Sequence, residues 1–333
     1  MKSIFARFRM DDTDLRLCQI LIVNSRLPHR ELAERLGLSV QAVHRRIQSL
    51  VEEGVISAFT TRISASYLNA VQAFIFGIPG LTSFKQVVER LEGDDRTAIV
   101  IAVSGNNIFI IALLRNVSEL EGYVEFVKKD LAMSAPGVAL EGTTQFPNAP
   151  DRPSGAAKAP LTELDLRILR SLHHDSRKAV EDVSAEIGVS AKTVKRHLDR
   201  MVAEGAVEFG IDFIPTASSG NLSVLAVVLK PGSDRTVVRR ELAAAYGPAL
   251  VTITTPSNLP DALMIQAWSP TLQKQQELVE KIGAHPGVAS VVSHIPQEAR
   301  TFETWRDRML VERGKGPGAA APSGMAIFST GNR

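Results

Sequence analysis

One cysteine in 333 residues, Cys18, leaves no partner for an internal disulfide and too few thiols for a multi-cysteine zinc or iron–sulfur centre. It stands among Leu15, Leu21 and Ile22 at helical spacing, the setting of a small core residue. Long apolar runs are missing too. The nearest approach, residues 98–114, is broken by Ser104-Gly105-Asn106-Asn107 and reads as two strands around a turn, not as a bilayer span. Residues 1–10 lack the apolar stretch of a signal peptide, so a soluble, cytoplasmic chain with no membrane partner is expected. Charge of one sign is also lacking. The net charge is +2, and residues 1–150 are neutral on balance, so any nucleic-acid affinity must come from local clusters. No Walker loop, dinucleotide fingerprint or HExxH sequence occurs. The residues therefore offer no catalytic group, no metal site and no cofactor; His173-His174-Asp175 closes a predicted helix, where histidines suit the helix dipole.

What the chain does have is an internal repeat. Shifted by 151 residues, the segment from Asp14 to Ile56 falls on that from Asp165 to Val207 with 13 identities in 43 ungapped pairs. Roughly 3 would arise from ordinary composition. Ser25-Arg26 meets Ser176-Arg177, Gly37 meets Gly188, Ser39 meets Ser190, and Glu53-Gly54 meets Glu204-Gly205. Further on, Pro136-Gly137-Val138-Ala139 matches Pro286-Gly287-Val288-Ala289, so the whole unit is duplicated. Between the copies, residues 147–160 are Pro-rich and read as a linker. The Gly, Ala, Pro and Ser composition of 314–333 reads as a disordered tail, and residues 1–9 as an unstructured extension.

The first part of each copy is legible as three helices. Leu15, Cys18, Leu21 and Ile22 mark one apolar face; Leu32, Ala33 and Leu36 mark a second, with Pro28 in its first turn. Gly37 can end that helix in the left-handed conformation, and Ser39 can cap the next, whose stripe is Val43, Ile47, Leu50 and Val51. This short glycine turn is the helix-turn-helix signature, and Val55 to Ile63 has the β-branched content of a wing strand. Copy two repeats the series with Leu166, Leu169 and Leu172, then Gly188 and Ser190, then Val194, Leu198, Met201 and Val202. The outward face of the third helix carries Gln41, His44, Arg45, Gln48 and Ser49 in copy one, and Lys192, Thr193, Lys195, Arg196 and Arg200 in copy two. These side chains can bond base edges and phosphates, so double-stranded DNA is the expected partner.

The second part of each copy alternates strand and helix patterns as βαββαβ. In copy one the strands read as 70–78, 98–103, 108–114 and 138–146. In copy two they read as 222–229, 250–255, 262–268 and 288–295. The predicted class is α+β: two winged helix-turn-helix domains at 11–63 and 161–214, each followed by a ferredoxin-like sensor domain, at 68–146 and 220–297. A C-terminal helix is expected over 298–313.

Asp12-Thr13-Asp14-Leu15-Arg16, Ser25-Arg26, Glu31 to Ser39 and Glu53-Gly54-Val55-Ile56 strongly resemble the leucine-responsive regulator, or Lrp/AsnC, family. The resemblance covers 11–146 and, more weakly, 162–296, and the tandem form departs from the family's usual single copy. It implies transcription regulation through the third helices and pairing through the sensor sheets. One chain is then a pseudo-dimer, or two chains form a homodimer. It also implies a small-molecule effector, an amino acid or other metabolite, at the turn between sensor strands 2 and 3. The positions there are Gly105, Asn106 and Asn107 in copy one, and Ser257 and Asn258 in copy two. Asn106 stands where the family often has an acid, and copy two has neither the glycine nor the acid. Two other readings remain: a sensor or scaffold without DNA binding, and an enzyme like the sirohaem decarboxylases, which resemble this family in fold. The latter are expected to carry histidine around these strands, and neither 95–116 nor 249–270 contains one.

Overall fold

The computed structural model describes residues 8–147 and 159–311. The tail at 314–333 and most of the 147–160 linker lie outside them. The first helix-turn-helix is α1 (Asp12–Val23), α2 (His29–Leu36) and α3 (Val40–Glu52), followed by strand β1 (Ile56–Ile63). The first sensor runs β2 (Val71–Gly77), α4 (Phe84–Leu91), β3 (Thr97–Val103), β4 (Asn107–Leu114), α5 (Glu119–Asp130) and β5 (Gly137–Gln145). The second module is α6 (Glu163–Ser171), α7 (Val180–Ile187), α8 (Ala191–Ala203) and β6 (Val207–Phe213). The second sensor is β7 (Asn221–Leu229), α9 (Arg235–Tyr246), β8 (Leu250–Pro256), β9 (Ala262–Ser269), α10 (Leu272–Gly283) and β10 (Val288–His294). Strand β11 (Pro296–Thr301) and helix α11 (Trp305–Val311) close the described chain. This is the α+β architecture the patterns imply: two winged modules, each followed in sequence by a βαββαβ sensor.

Sequence order is not packing order. The chain divides into two compact units: one holds residues 8–59, 142–147 and 210–295, the other 60–141, 159–209 and 296–311. Each helix-turn-helix thus falls in one compact unit with the sensor of the other copy. The chain passes from one unit to the other within β1 (Phe59 to Thr60), β5 (Glu141 to Gly142) and β6 (Phe209 to Gly210), and again between Ile295 and Pro296.

In the first unit, Leu15, Cys18 and Leu21 of α1 meet Leu32, Val43, Ile47 and Leu50 in the three-helix core. The other side of α1 is buried as well, because Ile211, Val251 and Trp268 join the same cluster. Gln19, fully buried, donates to the carbonyls of Leu250 (2.5 Å) and Gly247 (3.4 Å). A buried polar side chain needs such partners to offset its lost hydration. The sensor sheet runs β10-β7-β9-β8, antiparallel, with Val238 and Leu242 of α9 and Leu278 and Ile282 of α10 packed on its core face. Of the extension expected over 1–9, residues 1–7 lie outside the described residues; the Phe8 carbonyl accepts from the Ser219 amide at 2.9 Å, and Met10 is fully buried. An apolar pair beside an apolar core gains by burial, which the reading from sequence overlooked.

In the second unit the antiparallel order is β5-β2-β4-β3-β11, with α4 and α5 over the core face. Tyr123 of α5 is buried and shares a 2.8 Å hydrogen bond with Thr97; burial pushes its phenol well above the ordinary tyrosine range. The helix expected over 298–313 needs correction. Pro296–Thr301 is a strand on β3, and only Trp305–Val311 is helical. Strand β3 would otherwise end the sheet with unpaired backbone groups, and β11 supplies their partners. From there α11 reaches the second helix-turn-helix: Leu310 is buried with Leu166, Leu169 and Leu198, and Arg170 Nε donates to the Leu310 carbonyl.

Candidate nucleic-acid interface

Local sequence builds both third helices alike. Gly37 (φ 66°) and Gly188 (φ 72°) end α2 and α7 in the left-handed region, where a β-carbon is disfavoured. Ser39 Oγ accepts the Ala42 amide at 3.1 Å, and Ser190 Oγ the Thr193 amide at 3.1 Å, which starts α3 and α8 one short turn later. Pro28, expected in the first turn of α2, stands one residue ahead as its N-cap; its φ of −60° suits either place.

Val43, Ile47 and Leu50 bury one side of α3, and Val194, Leu198 and Met201 that of α8. At about 100° per residue, Gln41, His44, Arg45 and Gln48 fall within a stripe of roughly 100° on the opposite side. Lys192, Lys195, Arg196 and Asp199 occupy the equivalent stripe of α8. All eight are exposed. Among the described residues, Gln41, Arg45, Gln48, Lys192, Lys195, Arg196 and Asp199 have no side-chain hydrogen bond or ion pair, and His44 makes only an edge contact with His29 at 5.4 Å. Asp199 was not singled out from the sequence, although its seven-residue spacing from Lys192 puts it on the same face.

Ser49, Thr193 and Arg200 sit about 90–110° from the middle of the stripe and are only part-exposed. Thr193 Oγ1 lies 2.9 Å from Ser190 Oγ, within the cap. Arg200, counted among the outward cations, is a correction: its guanidinium is paired with Asp165, and with Glu204 at 3.3 Å. His197 likewise turns inward, with Nδ1 2.7 Å from Asp165. In copy one the same place is filled by Arg46, bound to Asp14 at 2.6 Å and Asp11 at 2.9 Å. Asp14 and Asp165 are the third residues of α1 and α6 and close the capping boxes that start them, so these pairs lash each recognition helix to the first helix of its module. Their identity in the two copies was the available signal.

The electrostatics of the two lashings differ. Burial raises the Asp165 carboxyl, but hydrogen bonds from Thr162, Arg200 and His197 outweigh it and bring it down to about 2. At Asp14 burial prevails over Asp11 and Arg46, and its carboxyl is raised; the more open Asp11, also opposed by burial, is lowered by the Asp14 amide and Arg46.

The two sensor turns belong to different units. Gly105 (φ 79°) and Asn106 (φ 57°) form a tight hairpin tip, with Asn107 Nδ2 on the Gly105 carbonyl at 3.1 Å. Ser257 and Asn258 are exposed, and Arg235 Nη1 braces their turn through the carbonyls of Pro256 (2.7 Å) and Leu259 (3.2 Å). Among the described residues, no group of three or more His, Cys, Asp or Glu is placed to hold a metal, and no helix is long and apolar enough to cross a membrane.

The winged helix-turn-helix DNA-binding family matches residues 10–57 and again 161–208. The HTH-type transcriptional regulator FL11 of Pyrococcus horikoshii is 30% identical over 139 residues, 41% of this chain and 87% of that protein. An HTH-type transcriptional regulator of Pyrococcus furiosus is 31% identical over 120 residues, 35% of this chain and 81% of that protein. Among solved structures, the siroheme decarboxylase NirDL superposes over 91% of this chain and 98% of its own, with a TM-score of 0.57 at 14% identity. That likeness concerns the fold alone.

Proposed function

The chain belongs to the Lrp/AsnC family of DNA-binding transcription regulators in a tandem form, and from that premise we propose that both recognition helices of one chain bind duplex DNA with divided tasks. The observation that carries this reading is the pair of exposed stripes whose side chains make no hydrogen bond or ion pair among the described residues. On α8 the free cations are Lys192, Lys195 and Arg196. On α3, with Arg46 held by Asp11 and Asp14, only Arg45 is free. Helix α8 therefore supplies more of the sequence-independent attraction, while Gln41, His44, Arg45 and Gln48 of α3 read base edges. Ser49 and Thr193 flank the stripes and take phosphate contacts; Arg200 holds the module together instead.

Binding measured against salt tests the division. Each phosphate contact contributes roughly 0.9 to the slope of log affinity on log salt. Replacing Lys195 and Arg196 by Ala lowers the slope on random DNA by about 2, while Gln41→Ala with Gln48→Ala mainly narrows the gap between operator and random sequence. An unchanged slope in the Lys195/Arg196 variant would falsify the assignment.

The reading also includes an effector, an amino acid or other metabolite, at Gly105, Asn106 and Asn107 and at Ser257 and Asn258, where exposed amides and a hydroxyl can bond a carboxylate or amine. Calorimetric titration with the common amino acids tests this; no heat with any of them removes amino acids from the reading. The two sensor copies make one chain the equivalent of a family dimer, and light scattering distinguishes this pseudo-dimer from a homodimer. The name transcriptional regulator on the relatives supports a non-enzymatic role.

A further inference from the structure

Asp199 is out of place by charge. Every other charged side chain on the outward stripe of α8 is a cation, and DNA repels a carboxylate. At about 100° per residue, Asp199 points some 20° from Lys192, between Lys195 and Arg196, almost opposite the buried Val194, Leu198 and Met201. It is exposed and makes no hydrogen bond or ion pair among the described residues, although Lys195 and Arg196 are four and three residues away. Its neighbour Arg200 is turned aside onto Asp165 and does not neutralise it. The group is thus presented unshielded on the face proposed for DNA. In copy one the same position is Gln48, also exposed and unpartnered.

The major groove gives such a carboxylate one good partner. Cytosine presents only a donor there, its N4 amino group; guanine and thymine present acceptors, and adenine sets an acceptor beside its donor. A glutamine amide, by contrast, matches the donor and acceptor of adenine together. We infer that Asp199 is a base-reading residue that requires cytosine in the half-site facing α8, where Gln48 takes adenine in the half-site facing α3. The operator of this chain is then asymmetric, unlike the palindrome that two identical recognition helices would demand. This rests on the DNA-binding reading above and adds to it the identity of one base. The free cations beside Asp199 hold the helix on DNA of any sequence, and the carboxylate penalises every register without cytosine, which is specificity by repulsion.

Selection from a pool of randomised duplexes tests this with the full chain and its Asp199→Asn and Asp199→Ala variants. The wild type should enrich an asymmetric motif with cytosine at one position. Asp199→Asn should switch that position towards adenine, since an Asn amide matches adenine. A residue acting only on helix stability cannot change which base is preferred. Asp199→Ala should lose the preference there by about 5- to 100-fold and bind random DNA more tightly. If all three proteins enrich the same motif, or if the site read by a single chain is itself palindromic, the inference is overturned while DNA binding stands. If the wild type binds no duplex at all, both fall.

Discussion

Asp14 and Asp165 occupy equivalent places in the two helix-turn-helix modules, and both are buried, yet they are neutralised in opposite ways. Asp14 shares Arg46 with a second carboxylate, Asp11, so burial wins and its proton is held more tightly. Asp165 has His197 and the Thr162 hydroxyl as well as Arg200, which also reaches Glu204, and it ionises readily. The difference comes from three substitutions between the copies: Asp11 against Thr162, Arg46 against His197, and Ser49 against Arg200. It teaches that a count of basic residues on a recognition helix is not a count of residues available to DNA: one arginine in each helix is committed to its own module.

The largest effect should come from removing the better-satisfied carboxylate. Asp165→Ala strips a cap and leaves Arg200 and His197 without their anion, a loss of about 3 kcal/mol. Asp14→Ala should cost about 1 kcal/mol, chiefly the lost cap, because ionising Asp14 is already opposed by its surroundings. Two units need not unfold together, so hydrogen exchange read separately over 163–203 and 12–52 is the suitable measurement. Equal losses in the two modules would break the comparison.

Acid should separate the modules next. The folded-state pKa of Asp165 lies below its ordinary value of 3.8, so its stabilisation is complete above pH 3.8 and is lost as pH falls towards about 2, roughly 2 kcal/mol in all. Asp14 is raised, so its contribution improves as pH falls through its folded pKa, against the loss at Asp11. Protection over 163–203 should therefore decline in acid before that over 12–52; the reverse order would contradict these assignments.

The smallest effects should lie where each module meets its sensor or strap. Gln19 and Arg170 are equivalent residues, and each donates to a carbonyl outside its module: Leu250 and Gly247 for Gln19, Leu310 for Arg170. Gln19→Ala removes a buried side chain's donors to the Leu250 and Gly247 carbonyls and should cost about 1–2 kcal/mol, whereas Arg170→Ala, at a part-exposed site, should cost about 1 kcal/mol or less. Urea unfolding followed by Trp268 fluorescence, with Trp305 replaced by Phe, should register the first and scarcely the second, because Trp268 lies in the same core cluster as α1. A larger shift for Arg170→Ala would reverse the ranking.

Much of the site was legible because its signals are local. Glycine turns, serine caps and three- and four-residue apolar spacing locate α3 and α8, and the same spacing identifies the free stripe. Arg200 was misassigned because it sits at the edge of that stripe, where only a nearby acid decides whether it faces DNA or its own module. Asp199 was passed over because its charge disagrees with its neighbours, although its spacing does not. Strand β11 was hidden in Pro296–Thr301, a short segment whose conformation depends on the open edge of β3 rather than on any pattern of its own.

The sequence alone determined the duplication, the two helix-turn-helix modules and the βαββαβ order of each sensor, because helix caps and hydrophobic periodicity act over a few residues and are written twice in the chain. Tertiary structure alone decided which sensor each module joins. Both copies carry nearly the same local pattern, so the choice rests on a few non-local buried contacts: Gln19 with Gly247 and Leu250, Trp268 in the first module's core, and Leu310 in the second's. Such contacts join residues more than a hundred positions apart, where no spacing rule reaches. Only the burial and pairing of particular side chains distinguish the crossed arrangement from the sequential one.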